Sequence, residues 1–240
     1  MRPLMADFNF NAYLCGLNKK FRYSMIKLIK ENRWYIVTIL LIALGGILVL
    51  LFMPKDEVHL LINRYHAPLA DTFFKYATWL GDGLFALVMC ILLFFYKSRT
   101  AIVASLSALT TGLVVQVLKR VFFAFMARPT AWFDESVNLY IIEGVKLYHK
   151  YSFPSGHTAT AFALFTSLAL ATKDNRIKAL CIILGIIVGY SRMYLSQHFL
   201  PDVIAGMIIG VVFAFFFTFA TNRHQSPNLD LPLHQILKKR

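Results

Sequence analysis

Long apolar runs alternate along this chain with short clusters of charge, and the clusters mark out six stretches. Each approaches the roughly 20 residues that a helix needs to cross about 30 Å of hydrocarbon. Trp34 to Met53 carries no charge, and about Tyr76 to Tyr96 carries only Asp82. Thr100 to Leu118 ends at Lys119, and the fourth run begins near Ser155 and continues to Thr172 with His157 as its only ionisable residue. The fifth starts at Ala179 and meets Arg192 after thirteen residues, and Val203 to Asn222 is uncharged. The pattern predicts an all-α fold, a six-helix transmembrane bundle over residues 34–222, with an amino-terminal arm (1–33) and a carboxyl tail (223–240).

Composition agrees, because 58% hydrophobic against 15% charged residues is too apolar for an ordinary soluble domain. Charge placement then orients the bundle, since Lys and Arg collect on the cytoplasmic side of short loops. Lys and Arg crowd the arm before the first span (Lys19 to Arg33), follow the second (Lys97, Arg99) and the fourth (Lys173, Arg176, Lys178), and close the chain (Lys238 to Arg240). Both termini are therefore expected in the cytoplasm, and the segments after spans one, three and five outside. The net charge of +13 needs no nucleic acid to explain it. Residues 17–33 read equally well as a helix lying on an anionic membrane surface or as a solvated basic arm. No short apolar segment with a small-residue cleavage site opens the chain, so the first span is read as a retained anchor. Cys15, Cys90 and Cys181 are scattered and suggest neither a disulfide framework nor a metal site.

Ionisable residues near hydrocarbon are costly and mark polar interiors or pathways. Here they gather at the outward ends of spans three to six: Lys119 and Arg120, then Arg128-Pro129, then Pro154-Ser155-Gly156-His157, then Arg192, His198 and Asp202. In order and spacing, Arg128-Pro129, Pro154 to His157, and Ser191-Arg192 through His198 to Asp202 resemble the three-part signature of the type 2 phosphatidic acid phosphatase superfamily. The resemblance covers residues 119–202 by motif and the six-span layout by architecture. One departure concerns the first block, which usually has six residues between its lysine and the Arg-Pro pair. Here Lys119 has eight and Arg120 seven, and Lys119 is preferred as the expected residue type.

A phosphate ester demands neutralised oxygens, an in-line nucleophile and a protonated leaving group. Arg128 and Arg192 offer planar forks for phosphate oxygens, and Lys119 adds a compact charge. Ser155 and Gly156 stand at a helix start, where free N–H groups favour an anion. His198 is the candidate nucleophile, with Asp202 four residues on to hold its other nitrogen and meet its developing charge. His157 is the candidate acid for the departing oxygen and base for the water that follows. The resemblance implies the same roles. A lone membrane histidine is more often a packed hydrogen-bonding residue than a catalyst, so the weight rests on these residues occurring together. His198 and Asp202 as metal ligands would leave a site short of the three protein ligands a catalytic metal normally has, so neither metal nor cofactor is expected.

The Gly185/Gly189 and Gly206/Gly210 pairs predict close packing of spans five and six on each other. His66 and Asp71 are candidates for the site entrance, while His59, His149, His224 and His234 read as surface residues. The resemblance implies a membrane enzyme that removes phosphate from a lipid at the outer face, periplasmic in a bacterium. Phosphatidic acid, phosphatidylglycerol phosphate, polyprenyl pyrophosphate and lipid A phosphates are the candidate substrates, with a bacterial envelope lipid preferred because the short loops hold no large recognition domain. The outward loop 130–153, with Trp132, Phe133, Tyr140 and Tyr148, is the candidate lid. A lipid phosphotransferase would use the same phosphohistidine. A vanadate-holding haloperoxidase is set aside on the six apolar spans, and a non-catalytic scaffold on the filled catalytic positions. Oligomeric state is left open.

Overall fold

The computed structural model of the chain describes residues 24–134, 136–223 and 226–238; Cys15, residues 17–23 of the arm and His224 lie outside them. The described residues are helical, without strands. Helix α1 (Arg33–Phe52) follows a helical segment at 24–31 and is succeeded by α2 (Lys55–Asn63) and α3 (Pro68–Ala77). A 3-10 turn (Thr78–Gly81) leads into α4 (Gly83–Tyr96). Helix α5 (Ser98–Val117) ends in a π turn (Leu118–Phe122), and a short α6 (Pro129–Trp132) opens the long loop 130–153. Helices α7 (Gly156–Leu170), α8 (Asn175–Tyr194) and α9 (Leu200–Asn222) complete the bundle. A 3-10 turn (Pro227–Asp230) and α10 (Leu233–Lys238) follow.

Among the described residues, four segments are long and apolar enough to cross a membrane: Arg33–Phe52, Ser98–Phe122, Asn175–Tyr194 and Leu200–Asn222. A fifth is the pair Pro68–Gly81 and Gly83–Tyr96, bent by 57°. The second span is thus not the straight run from Tyr76 that the apolar pattern predicts. It begins at Pro68, whose fixed φ suits a first helical turn, and breaks where Asp82 caps α4 by accepting from Leu84 N. The fourth apolar run becomes α7, whose 15 residues reach only about 22 Å.

Helix α7 is short because it is the centre. Its Ala, Thr and Ser residues give neighbouring helices close access, and Ala159, Ala161, Ala163, Leu164 and Thr166 are wholly buried. A Cβ at Gly206 would lie 2.5 Å from Ser155 O, and one at Gly210 would run into Ala159 O, so α9 rests directly on the α7 backbone. Gly185 of α8 faces the Phe162 ring of α7. The glycine stripes therefore pack spans five and six against α7 between them, and only Gly189, against Val203, joins the two helices as the sequence pattern predicts. Tyr35 of α1 closes the core with a 2.8 Å hydrogen bond to Thr166. On the outside, Leu40, Leu41 and Leu44 of α1 and Leu84, Leu87 and Leu92 of α4 are exposed, an apolar belt suited to hydrocarbon rather than water.

The tail returns to the bundle. Asp230 accepts from Lys97 at 2.9 Å and Arg99 at 3.0 Å, and Arg99 also donates to Thr221 O at 2.7 Å.

Candidate active site

Three chain segments meet at the ends of α5, α7, α8 and α9, and the geometry starts from local structure. Ser155 caps α7: its Oγ lies 2.8 Å from Thr158 Oγ1 and accepts from Thr158 N, while its own N–H donates to Asp202 O. Asp202 stands in the first turn of α9, where its Oδ2 accepts from Phe199 N at 3.0 Å and from Ser152 Oγ. The same oxygen lies 3.2 Å from His198 Nδ1. The HxxxD spacing thus spans the helix start, with Asp202 inside α9 and His198 just before it.

His198 is buried, and burial, followed by the positive charges of Lys119, Arg128, Arg192 and His157, holds its imidazole well below the ordinary histidine range. The ring is therefore neutral at pH 7. Those four neighbours locate the remaining residues around it. Lys119, Arg128 and Arg192 are all buried. Lys119 Nζ donates to Tyr151 O at 3.0 Å; Arg128 donates to Lys150 O at 3.0 Å and to Gln197 Oε1 at 3.1 Å. Arg192 Nη1 donates to Thr78 Oγ1 at 2.7 Å, while its buried Nε has no hydrogen-bond partner. The π turn at the end of α5 bears on the two candidate cations of the first block, leaving Lys119 buried and Arg120 exposed. A π turn takes up one more residue than an α turn, which fits the longer spacing before Arg128.

His157, a third exposed, lies 3.9 Å from Asp82 Oδ2 and lines a cavity of about 490 Å³ with Thr78, Trp79, Asp82, Leu84, Phe85 and Val88. The cavity opens at the break in the bent span.

Ser152 and Thr78, outside the three motif blocks, hold Asp202 and Arg192 in contacts visible only once the chain is folded, while Gln197, inside the third block, accepts from Arg128. His66 and Asp71, the entrance candidates, form a cluster with Tyr194 and Tyr140. His66 Nδ1 lies 2.8 Å from Asp71 Oδ1, and Asp71 also accepts from Tyr194 at 2.6 Å and Tyr140 at 2.9 Å, tying the loop 130–153 to α3. His59 departs from the surface reading outright. It is 1% exposed, stacked on Phe133 and edge-on to Phe199, because α2 folds back over the loop that carries His198. His149 and His234 are exposed. Among the described residues no group of three or more His, Cys, Asp or Glu side chains is placed to hold a metal ion.

Residues 100–225 match the PAP2 superfamily. A lipid A 4'-phosphatase of Porphyromonas gingivalis is 30% identical over 172 residues, covering 68% of this chain and 70% of that protein. The crystal structure of Aquifex aeolicus LpxE aligns with a TM-score of 0.60 at 30% identity, covering 67% of this chain and 92% of that one. That of a PAP2 type phosphatidylglycerolphosphate phosphatase from Bacillus subtilis aligns at 0.59 and 20% identity, covering 80% and 97%, a likeness of fold.

Proposed function

Because this chain belongs to the PAP2 superfamily, we propose that it is an integral membrane phosphatase that hydrolyses a phosphomonoester or pyrophosphate of a bacterial envelope lipid through a phosphohistidine. One observation carries the reading. Three buried cations, Lys119, Arg128 and Arg192, surround a buried neutral His198 with a single buried carboxylate, Asp202, among them. Buried charge is costly unless it is paired, and a phosphate dianion is the partner that this excess of positive charge fits.

The roles follow from the contacts. With Nδ1 of His198 turned to Asp202, Nε2 is the nitrogen left to attack phosphorus, and Asp202 balances the charge that develops on the ring. The N–P bond forms as the P–O bond to the lipid breaks, and His157 gives its proton to the departing oxygen. Water then attacks the phosphohistidine, His157 takes the proton back, and phosphate leaves. Arg128 and Arg192 meet the equatorial oxygens with Lys119, and the Gly156 N–H at the α7 start, next to a Ser155 N–H already given to Asp202 O, completes the cradle.

The cavity beside His157 supports a lipid whose tail stays in the bilayer and enters sideways at the bend. Trp79, Leu84, Phe85 and Val88 suit an acyl chain, and His157 stands where the leaving oxygen would sit. In this reading α7 is a short sixth crossing, both termini are cytoplasmic, and the site opens to the outer leaflet. Lipid A phosphates head the candidates, because the relative matching two thirds of the chain is a lipid A 4'-phosphatase. The test is phosphate release from a panel of lipid A, phosphatidylglycerol phosphate, phosphatidic acid and polyprenyl pyrophosphate in detergent with chelator present. Wild type is expected to turn over at least one of them, with inhibition by vanadate. A strict need for added divalent metal, or faster hydrolysis of a water-soluble monoester than of every lipid, overturns the proposal.

A further inference from the structure

Helix α2 lies before the 100–225 region that matches the family, yet it packs on the loop that carries His198. Lys55, His59 and Asn63 are four residues apart, so they line one face of α2. All three meet that loop. Lys55 Nζ sits 4.7 Å from the Phe199 ring centroid and 3.7 Å from that of Trp132. The His59 ring meets Phe199 edge-on, and its Nε2 lies 3.2 Å from Ser196 Oγ. Asn63 Nδ2 donates to the same Oγ at 3.3 Å and to Tyr140 O at 3.0 Å, and its Oδ1 accepts from Tyr140 N at 2.9 Å.

Ser196 is an unusual residue to find there. Its φ is +53°, in the left-handed region where a side chain is disfavoured and glycine is not. What serine adds over glycine is the buried hydroxyl, and both of its side-chain partners, His59 and Asn63, come from α2. From Ser196 the chain runs through Gln197, which holds Arg128, to His198.

We propose that His59 and Asn63 are positioning residues that, through Ser196 Oγ, set the loop 196–199 so that His198 stands in line with the phosphorus. The proposal rests on the phosphohistidine reading above. In-line attack depends steeply on placement, and a displacement of about 1 Å can cost roughly a hundredfold in rate. Arg192 is held by Thr78 Oγ1 and Lys119 by Tyr151 O rather than through Ser196, so binding of phosphate by these two cations does not depend on the brace to the same degree.

Ser196→Gly is the sharpest probe, since it removes the hydroxyl while easing the backbone. It is compared with His59→Ala, Asn63→Ala and the conservative His59→Gln in detergent, using the best lipid of the panel, with vanadate and inorganic phosphate as inhibitors. Expected is a fall in kcat of about ten- to a hundredfold with KM within about twofold. Vanadate, which needs the in-line histidine, should inhibit at least tenfold less strongly, while inhibition by inorganic phosphate and the thermal midpoint of Ser196→Gly stay near wild type. His59→Gln should recover part of the loss in His59→Ala. Wild-type kcat in Ser196→Gly overturns the brace. So does a loss in which vanadate and inorganic phosphate inhibition weaken together, because that is general damage to the pocket. His198→Ala is measured alongside: if it is inactive while Ser196→Gly is fully active, the brace alone fails, and if it turns over normally, the phosphohistidine reading fails first.

Discussion

Burial pushes the imidazoles of His198 and His59 below the ordinary histidine range, while His157 is a third exposed and opens onto a cavity. In the proposed chemistry His198 has to be neutral to attack, so His198→Ala is expected to lose turnover and to leave no labelled phosphoenzyme after acid quench with a labelled lipid; a normal burst of label would refute the nucleophile assignment. His157, open to the cavity, is the proposed proton carrier, and His157→Ala is expected to lose about a hundred- to ten-thousandfold in kcat. The deficit should shrink for a leaving group that needs no proton, such as p-nitrophenolate, and an equal deficit for both classes would remove His157 from that role. His59 is neutral for a structural reason: burial, with a smaller contribution from His66, lowers its pKa from about 6.5 to about 4. Between those values the unfolded chain binds a proton that the folded chain does not, so stability is lost as pH falls from 6.5 towards 4. The loss should reach about 2 kcal/mol by pH 5. Thermal midpoints at pH 7.5 and 5 should differ less in His59→Gln than in wild type, and equal differences would show that His59 does not set this sensitivity.

At the scale of elements, α7 organises the bundle through what it lacks, which is bulk. Gly206 and Gly210 touch its backbone carbonyls at Ser155 and Ala159, and a backbone cannot swing aside as a side chain can. Gly210→Ala is therefore expected to cost about 1–3 kcal/mol through overpacking. Gly45→Ala meets nothing within 4 Å and should gain up to about 1 kcal/mol from helix propensity. Detergent thermal melts of the two variants check the contrast, and similar midpoints would mean that α9 is not seated on α7 as described. Because Ser155 N–H donates to the backbone carbonyl of Asp202, the same helix contact joins the cap of α7 to the first turn of α9. Loss of activity in Gly210→Ala beyond its loss of folded protein would be the functional signature of that link.

For the whole molecule, the proposed topology places the site at the outer face. In a background with Cys15, Cys90 and Cys181 replaced, a cysteine at Val137 or Asn138 is expected to react with an impermeant thiol reagent in spheroplasts, and one at Asn175 only after lysis. The opposite pattern would invert the topology. The returning tail lies on the other face in this arrangement, where Asp230 is gripped by Lys97 and Arg99. These pairs are part-exposed, so Asp230→Asn should change stability by no more than about 1 kcal/mol and leave kcat unaltered.

Hydrophobicity is additive along a helix, so the apolar runs announced the membrane class and most span positions without any tertiary information. The three motif blocks likewise lie in short contiguous stretches, and their cations, histidines and carboxylate were named from the chain alone. What folding decided was everything that depends on which side chain meets which across the bundle. The burial of His59 under the loop before α9 and the seating of Gly206 and Gly210 on the α7 backbone arise from packing between segments far apart in sequence. Ser152, Thr78 and Asn63 are ordinary polar residues until the fold brings each within hydrogen-bond reach of its partner, Asp202, Arg192 and Ser196 respectively. Periodicity and motif spacing register local chemistry, and a partner 50 to 140 residues away leaves no mark on either; only the three-dimensional path of the chain creates it.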